Sequence, residues 1–192
     1  MKTAILLISL LLLASSVFAI IEPGDNMMGF YFDNDFDSTT ITEVPSFTLQ
    51  TMYLVLVHPT FDYLYGFEFG YSIDGPGLTL STVYTNPNII DVGSSGNHIV
   101  GFGDPSPMSE ASILATLGII YTDPDGCEPL FFHLHGTYPS SINPLFPTML
   151  LADGELFATG VSDWGGFTSA VFGDCTVSTT SKSLGQIKSL YR

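Results

Sequence analysis

The sequence predicts an all-β chain: a single antiparallel β-sandwich of jelly-roll or related type, followed by a short C-terminal tail with a helical pattern. Three observations lead there. Short segments with strand character, about nine or ten of them, are separated by Pro, Gly, Asn and Asp turn signals. One of them alternates cleanly, with Phe67, Phe69, Tyr71 and Ile73 on one face and Gly66, Glu68, Gly70, Ser72 and Asp74 on the other, the period of a half-buried strand. Helical periodicity is nearly absent before residue 176, so sheets must pack on sheets.

Taken in order, M-M-G-F-Y-F-D (27–33) has strand alternation and aromatic content and runs into D-N-D-F-D and a polar loop. Residues 46–57 form the next strand, whose Y-L-V-L-V core is apolar on both faces and therefore central; His58-Pro59 ends it. The alternating strand follows, and D-G-P-G (74–77) turns the chain into G-L-T-L-S-T-V-Y (77–84), with Leu78 and Leu80 expected inward. Residues 85–96 read as loop, 97–103 as a short strand and D-P-S-P-M-S-E (104–110) as loop. In 112–123, Ser109 and Ser112 suit a helix start, but Ile119, Ile120 and Thr122 favour a strand. A further strand, 129–136, is followed by a Pro-rich loop. Asp153-Gly154 marks a type I′ hairpin within 148–160, and a last strand at 167–173 reaches Cys175.

Residues 1–19 read as a signal peptide: Lys2 supplies the positive start, Ala4 to Leu13 the apolar run, and Val17 and Ala19 the small-residue cleavage pattern. The run is shorter than the ~20 residues of a membrane span. The mature chain is therefore expected to be exported, to the periplasm, cell surface or medium, as one sandwich domain over 20–175. All 19 acidic residues lie between Glu22 and Asp174, whereas the basic residues after Lys2 are Lys182, Lys188 and Arg192. A body without cations cannot neutralise phosphates, which excludes nucleic acid as its partner and disfavours anionic lipid. Cys127 and Cys175 in an exported chain imply a disulfide.

Several groupings carry possible chemistry. Asp33, Asp35 and Asp37 open like a calcium loop, although Ser38 and Val44 stand where an EF-hand needs glycine and glutamate. His133 and His135 share a strand face, as a transition-metal pair would, without the further ligands that cupins or copper oxidases require. G-x-S-x-G does not occur, and Gly93-Ser94-Ser95-Gly96 reads as a turn. Glu68 is the carboxylate best placed for a hydrolytic role, but no second carboxylate stands at informative spacing. Trp164, in D-W-G-G-F, offers a stacking surface for a sugar or an anchor for its own loop.

Residues 176–192 form a Ser/Thr-rich linker and a basic amphipathic tail, with Leu184, Ile187, Leu190 and Tyr191 at helical spacing among Lys182, Lys188 and Arg192. Docking back on the acidic body and recognition by an export or anchoring apparatus are its two candidate roles. The run of Y-L-V-L-V, G-F-E-F-G-Y-S-I-D, G-L-T-L and I-L-A-T-L-G-I-I-Y, over residues 46–123, resembles the cohesin-like and carbohydrate-binding-module-like sandwiches of secreted bacterial proteins. The ending G-Q-I-K-S-L-Y-R is similar to that of other exported bacterial proteins. This resemblance implies a non-catalytic module for binding, adhesion or surface structure, with a carbohydrate or a surface protein as partner and no obligatory cofactor. A secreted polysaccharide hydrolase and a protein binding calcium or a transition metal are the alternatives.

Overall fold

The computed structural model describes residues 24–94, 96–162 and 167–175, and among them every regular element is a β-strand. In chain order the strands are β1 (Met27–Tyr31), β2 (Thr40–Val44), β3 (Leu49–Val57), β4 (Tyr63–Asp74), β5 (Gly77–Tyr84), β6 (Ile89–Asp91), β7 (Asn97–Pro107), β8 (Ala111–Tyr121), β9 (Leu130–His135), β10 (Thr148–Leu150), β11 (Leu156–Ala158), β12 (Gly160–Val161) and β13 (Ser169–Gly173). The signal-peptide segment, Trp164 and the tail with Leu184, Ile187, Lys188, Leu190, Tyr191 and Arg192 lie outside the described residues.

Two sheets pack face to face. The first has the order β12-β1-β3-β8-β5. The second runs β11-β10-β4-β9-β13-β2, with β7 and then β6 on the remaining edge of β4. There, Glu68 pairs with both Thr148 and Ile99, and Gly70 with both His135 and Asn97. Strand β4 is thus the hinge of the second sheet: β7 lies along one edge, and β10 and β9 follow one another along the other. Between the sheets lie Phe30, Met52, Leu54, Leu117 and Ile119 from one layer and Phe69, Leu130 and Phe132 from the other, all fully buried.

Most pairings are antiparallel, as expected, but β1 with β12 and β2 with β13 are parallel, so the sheets are mixed. Each parallel pair joins a strand from the start of the chain to one from its end. The T-I-T-E-V segment read as polar loop is strand β2, because β13 pairs with it. Strand β7 continues through Asp104 to Pro107: between Leu64↔Ser106 and Gly66↔Gly101 its extra residues bulge away from β4, which accommodates Pro105. Residues 111–121 are strand throughout. The 148–160 hairpin forms, but with a longer turn than type I′: Gly154 N–H bonds the Leu151 carbonyl, Leu151 N–H bonds the Glu155 carbonyl, and only Gly154 in the turn has positive φ. Leu78 and Leu80 point outward. A Cβ on Gly77 would sit 2.4 Å from Leu130 Cδ2, so Gly77 is the residue turned into the interior and Leu78, its neighbour, must face out.

Candidate functional site

Phe67 and Phe69 of β4 enter the core, which leaves Gly66 and Glu68 on the outer face of the second sheet. Register extends that face into a row across five strands: Ile90, Gly101, Gly66, Leu150 and Leu156. Directly opposed residues share a face, so two glycines form a floor between aliphatic walls. The result is a cleft of about 310 Å³. A Cβ added at Gly101 would meet nothing within 4 Å, which places open space above the floor. Ile90, Val92 and Leu156 stand 70%, 69% and 43% exposed around it.

The cleft is closed at the next row, Ile99, Glu68 and Thr148, by the loop that follows β9. Thr137 Oγ1 donates to Glu68 Oε2 at 2.7 Å, and Ser141 N–H donates to Oε1 at 3.0 Å. Tyr138 N–H, in the same loop, donates to Asn97 Oδ1 at 3.0 Å. Glu68 is therefore a buried clamp for the loop. Among the described residues lining the cleft it is the only carboxylate, and both its oxygens are engaged. The acid and base pair of a glycosidase, carboxylates ~5 to 9.5 Å apart, is not assembled there.

The β6 wall is fixed from behind. Asp91, between Ile90 and Val92, accepts the Gly93 and Ile99 N–H groups on Oδ1 at 2.9 and 3.1 Å. Its Oδ2 accepts the Tyr84 hydroxyl and His98 Nδ1–H, the latter at 2.9 Å. Burial of Asp91 acts to raise its pKa, but the bonds from Tyr84, His98 and the two amides outweigh it and hold the carboxyl below its ordinary range. Burial, reinforced by the Asp91 carboxylate, pushes the Tyr84 hydroxyl well above the usual range for a phenol. His98 stacks on Phe69 at 4.6 Å, so this polar cluster ties β5, β6 and β7 to the core aromatics.

The other sequence candidates disperse over the molecule. Asp33 Oδ1 accepts Asp37 N–H and Ser38 N–H at 3.2 and 3.4 Å, making it the acceptor of a turn. Burial works to raise the Asp33 pKa, yet a side-chain hydrogen bond with Asp37, followed by the backbone N–H bonds, leaves it lowered, while the same bond to Asp33 raises that of Asp37. Asp35 lies between them, and among the described residues no group of three or more His, Cys, Asp or Glu is arranged to hold a metal ion. His133 and His135 do share the outer face of β9, alternating with buried Leu130, Phe132 and Leu134. His135 Nδ1–H donates to the Gly136 carbonyl at 2.6 Å, and its ring lies against Gly70. Cys127 and Cys175 are joined as a disulfide. Gly66, Gly101, Ile90 and Leu156 were not singled out by sequence reasoning. For the two glycines the available signal was glycine inside a strand, a mark of a close approach; Ile90 and Leu156 carry no such mark.

No protein-family profile and no curated protein matches this sequence. Solved structures do. The sixth cohesin of scaffoldin B from Acetivibrio cellulolyticus, solved in complex with a dockerin, aligns with a TM-score of 0.53 at 13% identity, covering 78% of this chain and 99% of that one. A Clostridium acetobutylicum cohesin, solved as part of a complex, aligns with a TM-score of 0.51 at 12% identity, covering 78% of this chain and 98% of its own. At such identities the likeness speaks for the fold alone, and the glycine-floored cleft accordingly stands on a cohesin-like β-sandwich.

Proposed function

We propose that this chain is an exported, non-catalytic module that binds a protein partner through the outer face of its second sheet, with the glycine-floored cleft at the centre of the contact. The observation that carries this reading is the cleft itself, an apolar groove left open to water by exposed Ile90, Val92 and Leu156. Apolar recesses of that kind receive the buried anchor side chains on which interfaces depend. The dockerin bound to the Acetivibrio cohesin supports a protein as occupant. The signal-peptide pattern of residues 1–19 and the Cys127–Cys175 disulfide support export to an oxidising compartment, where the module would serve adhesion or surface assembly.

Display of the source organism's exported proteins against the immobilised body selects partners, and calorimetry then compares the wild type with Gly101→Trp. The added indole enters open space, so the melting temperature should hold while affinity falls at least tenfold. Selected partners that bind Gly101→Trp as tightly as the wild type would place the interface elsewhere. A body that retains glycans on an array, and no protein in the selection, would replace this reading with carbohydrate recognition.

A further inference from the structure

Among the described residues the outer face of the first sheet is covered over β1 and the end of β3, where Tyr31, Val55 and Val57 are buried with Phe36 packed against them, and is open over β5, the start of β3 and the facing part of β8. Leu49, Ile120 and Leu78 form one row across β3, β8 and β5, and Tyr53, Thr116 and Val83 another. Leu49, Leu78 and Val83 are 63%, 42% and 62% exposed, as are Leu80 in the β5 bulge at 58% and nearby Phe47 at 63%. Neither row contains a charged residue, although the body around it carries acid after acid. Among the described strands β5 ends its sheet, and residues 77–84 hold no Lys, Pro or carboxylate of the kind that ordinarily guards an edge.

The described body finishes beside this face. Cys175 is bonded to Cys127, and its N–H donates to the Gly126 carbonyl at 3.1 Å. Cys127 N–H in turn donates to Asp123, two residues beyond Tyr121, whose carbonyl accepts Phe47 N–H at 2.8 Å. Exposed carboxylates of Asp125, Glu128 and Asp174 surround this exit. From Cys175 to Leu184 the extended chain reaches ~30 Å at ~3.3 Å per residue, several times the ~4.8 Å between strands.

We propose that residues 182–192 fold back on this face, setting Leu184, Ile187, Leu190 and Tyr191 over the Leu49, Leu78, Leu80 and Val83 patch. Lys182, Lys188 and Arg192 then meet the acidic rim formed by Asp125, Glu128 and Asp174. Two complementarities select this occupant. The segment carries every cation that follows Lys2, and its apolar residues recur at the spacing of one helical face. So seated, the tail shields an apolar patch and an unguarded edge that would otherwise invite association with a second copy. The cleft on the second sheet takes no part, so this inference stands or falls separately from the proposed function.

Zero-length carbodiimide cross-linking of residues 20–192, disulfide intact and prepared as an equal mixture of ¹⁴N and ¹⁵N protein at low concentration, tests it. The expected products join Lys182 or Lys188 to Asp125, Glu128 or Asp174 within one copy. Their yield should fall at least fivefold in Leu184→Ser/Ile187→Ser, which leaves the body untouched, and in Leu49→Ser/Leu78→Ser. Deleting 177–192 should raise binding of an apolar dye several-fold. Unchanged yield in the tail variant, or unchanged dye binding on deletion, overturns the proposal. Products joining ¹⁴N to ¹⁵N copies as often as random exchange would allow overturn it in favour of a second copy as the occupant.

Discussion

Glu68 faces away from the core and is nevertheless only 4% exposed, because a loop from far along the chain closes over it. Its two oxygens each accept one donor, so Glu68→Leu removes both acceptors, those of the Thr137 hydroxyl and the Ser141 N–H. A buried donor left unpaired costs about 1 to 3 kcal/mol, and urea denaturation should show a loss of that size, with the loop over the cleft end loosened. A loss below about 0.5 kcal/mol, the range of an ordinary surface substitution, would mean that Glu68 does not hold the loop. The alternation of 66–74 placed Glu68 on the correct face. Its burial was not legible, since the covering residues Thr137 and Ser141 are 69 and 73 positions away and no local pattern encodes such a contact. The Asp33 to Asp37 triplet illustrates the converse: its spacing suggested ligands, whereas its backbone geometry turns Asp33 into a local acceptor.

At the level of elements, strands with strong patterns of their own were readable, and those defined by a partner were not. Strands β3, β4 and β9 are apolar or alternating enough to declare themselves. Strand β2, with its exposed Thr42 and Glu43, exists because β13 lies beside it. The facing of β5 went wrong for a definite reason: the pattern suggested Leu78 and Leu80 as the inner set, but the space opposite Leu130 admits only Gly77. Glycines also separate two physical effects in the cleft's neighbourhood. A Cβ at Gly154 or at Gly101 would meet nothing within 4 Å, but Gly154 has φ +83°. Gly154→Ala should therefore cost about 1 to 2 kcal/mol from the left-handed backbone alone, and Gly101→Ala should stay within about 0.5 kcal/mol of the wild type. Thermal denaturation of the two variants side by side checks this. Equal melting temperatures would show that the β10–β11 turn relaxes at no cost.

Over the whole molecule, the chain is closed by its ends. Strands β1 and β2 take β12 and β13 as parallel partners, so neither sheet is complete until the last strands have arrived, and every such contact must overcome the entropy of closing a long loop. The Cys127–Cys175 disulfide acts on that term: it ties the turn before β9 to the exit from β13 across 48 residues. A loop of that length is worth roughly 4 kcal/mol in the chain-entropy account, a large part of the ~5 to 15 kcal/mol by which domains are stable. Guanidinium unfolding of Cys127→Ser/Cys175→Ser should lose about that much. The cleft lies across β6, β7, β4, β10 and β11, away from the bridged residues, so partner affinity per folded molecule should be unchanged at low denaturant. A loss well under 1 kcal/mol would show that β13 docks through its pairing with β9 and β2 before the bridge matters. Affinity falling in step with stability would instead show that the disulfide shapes the cleft, and that the two sheets carry strain from one end of the sandwich to the other.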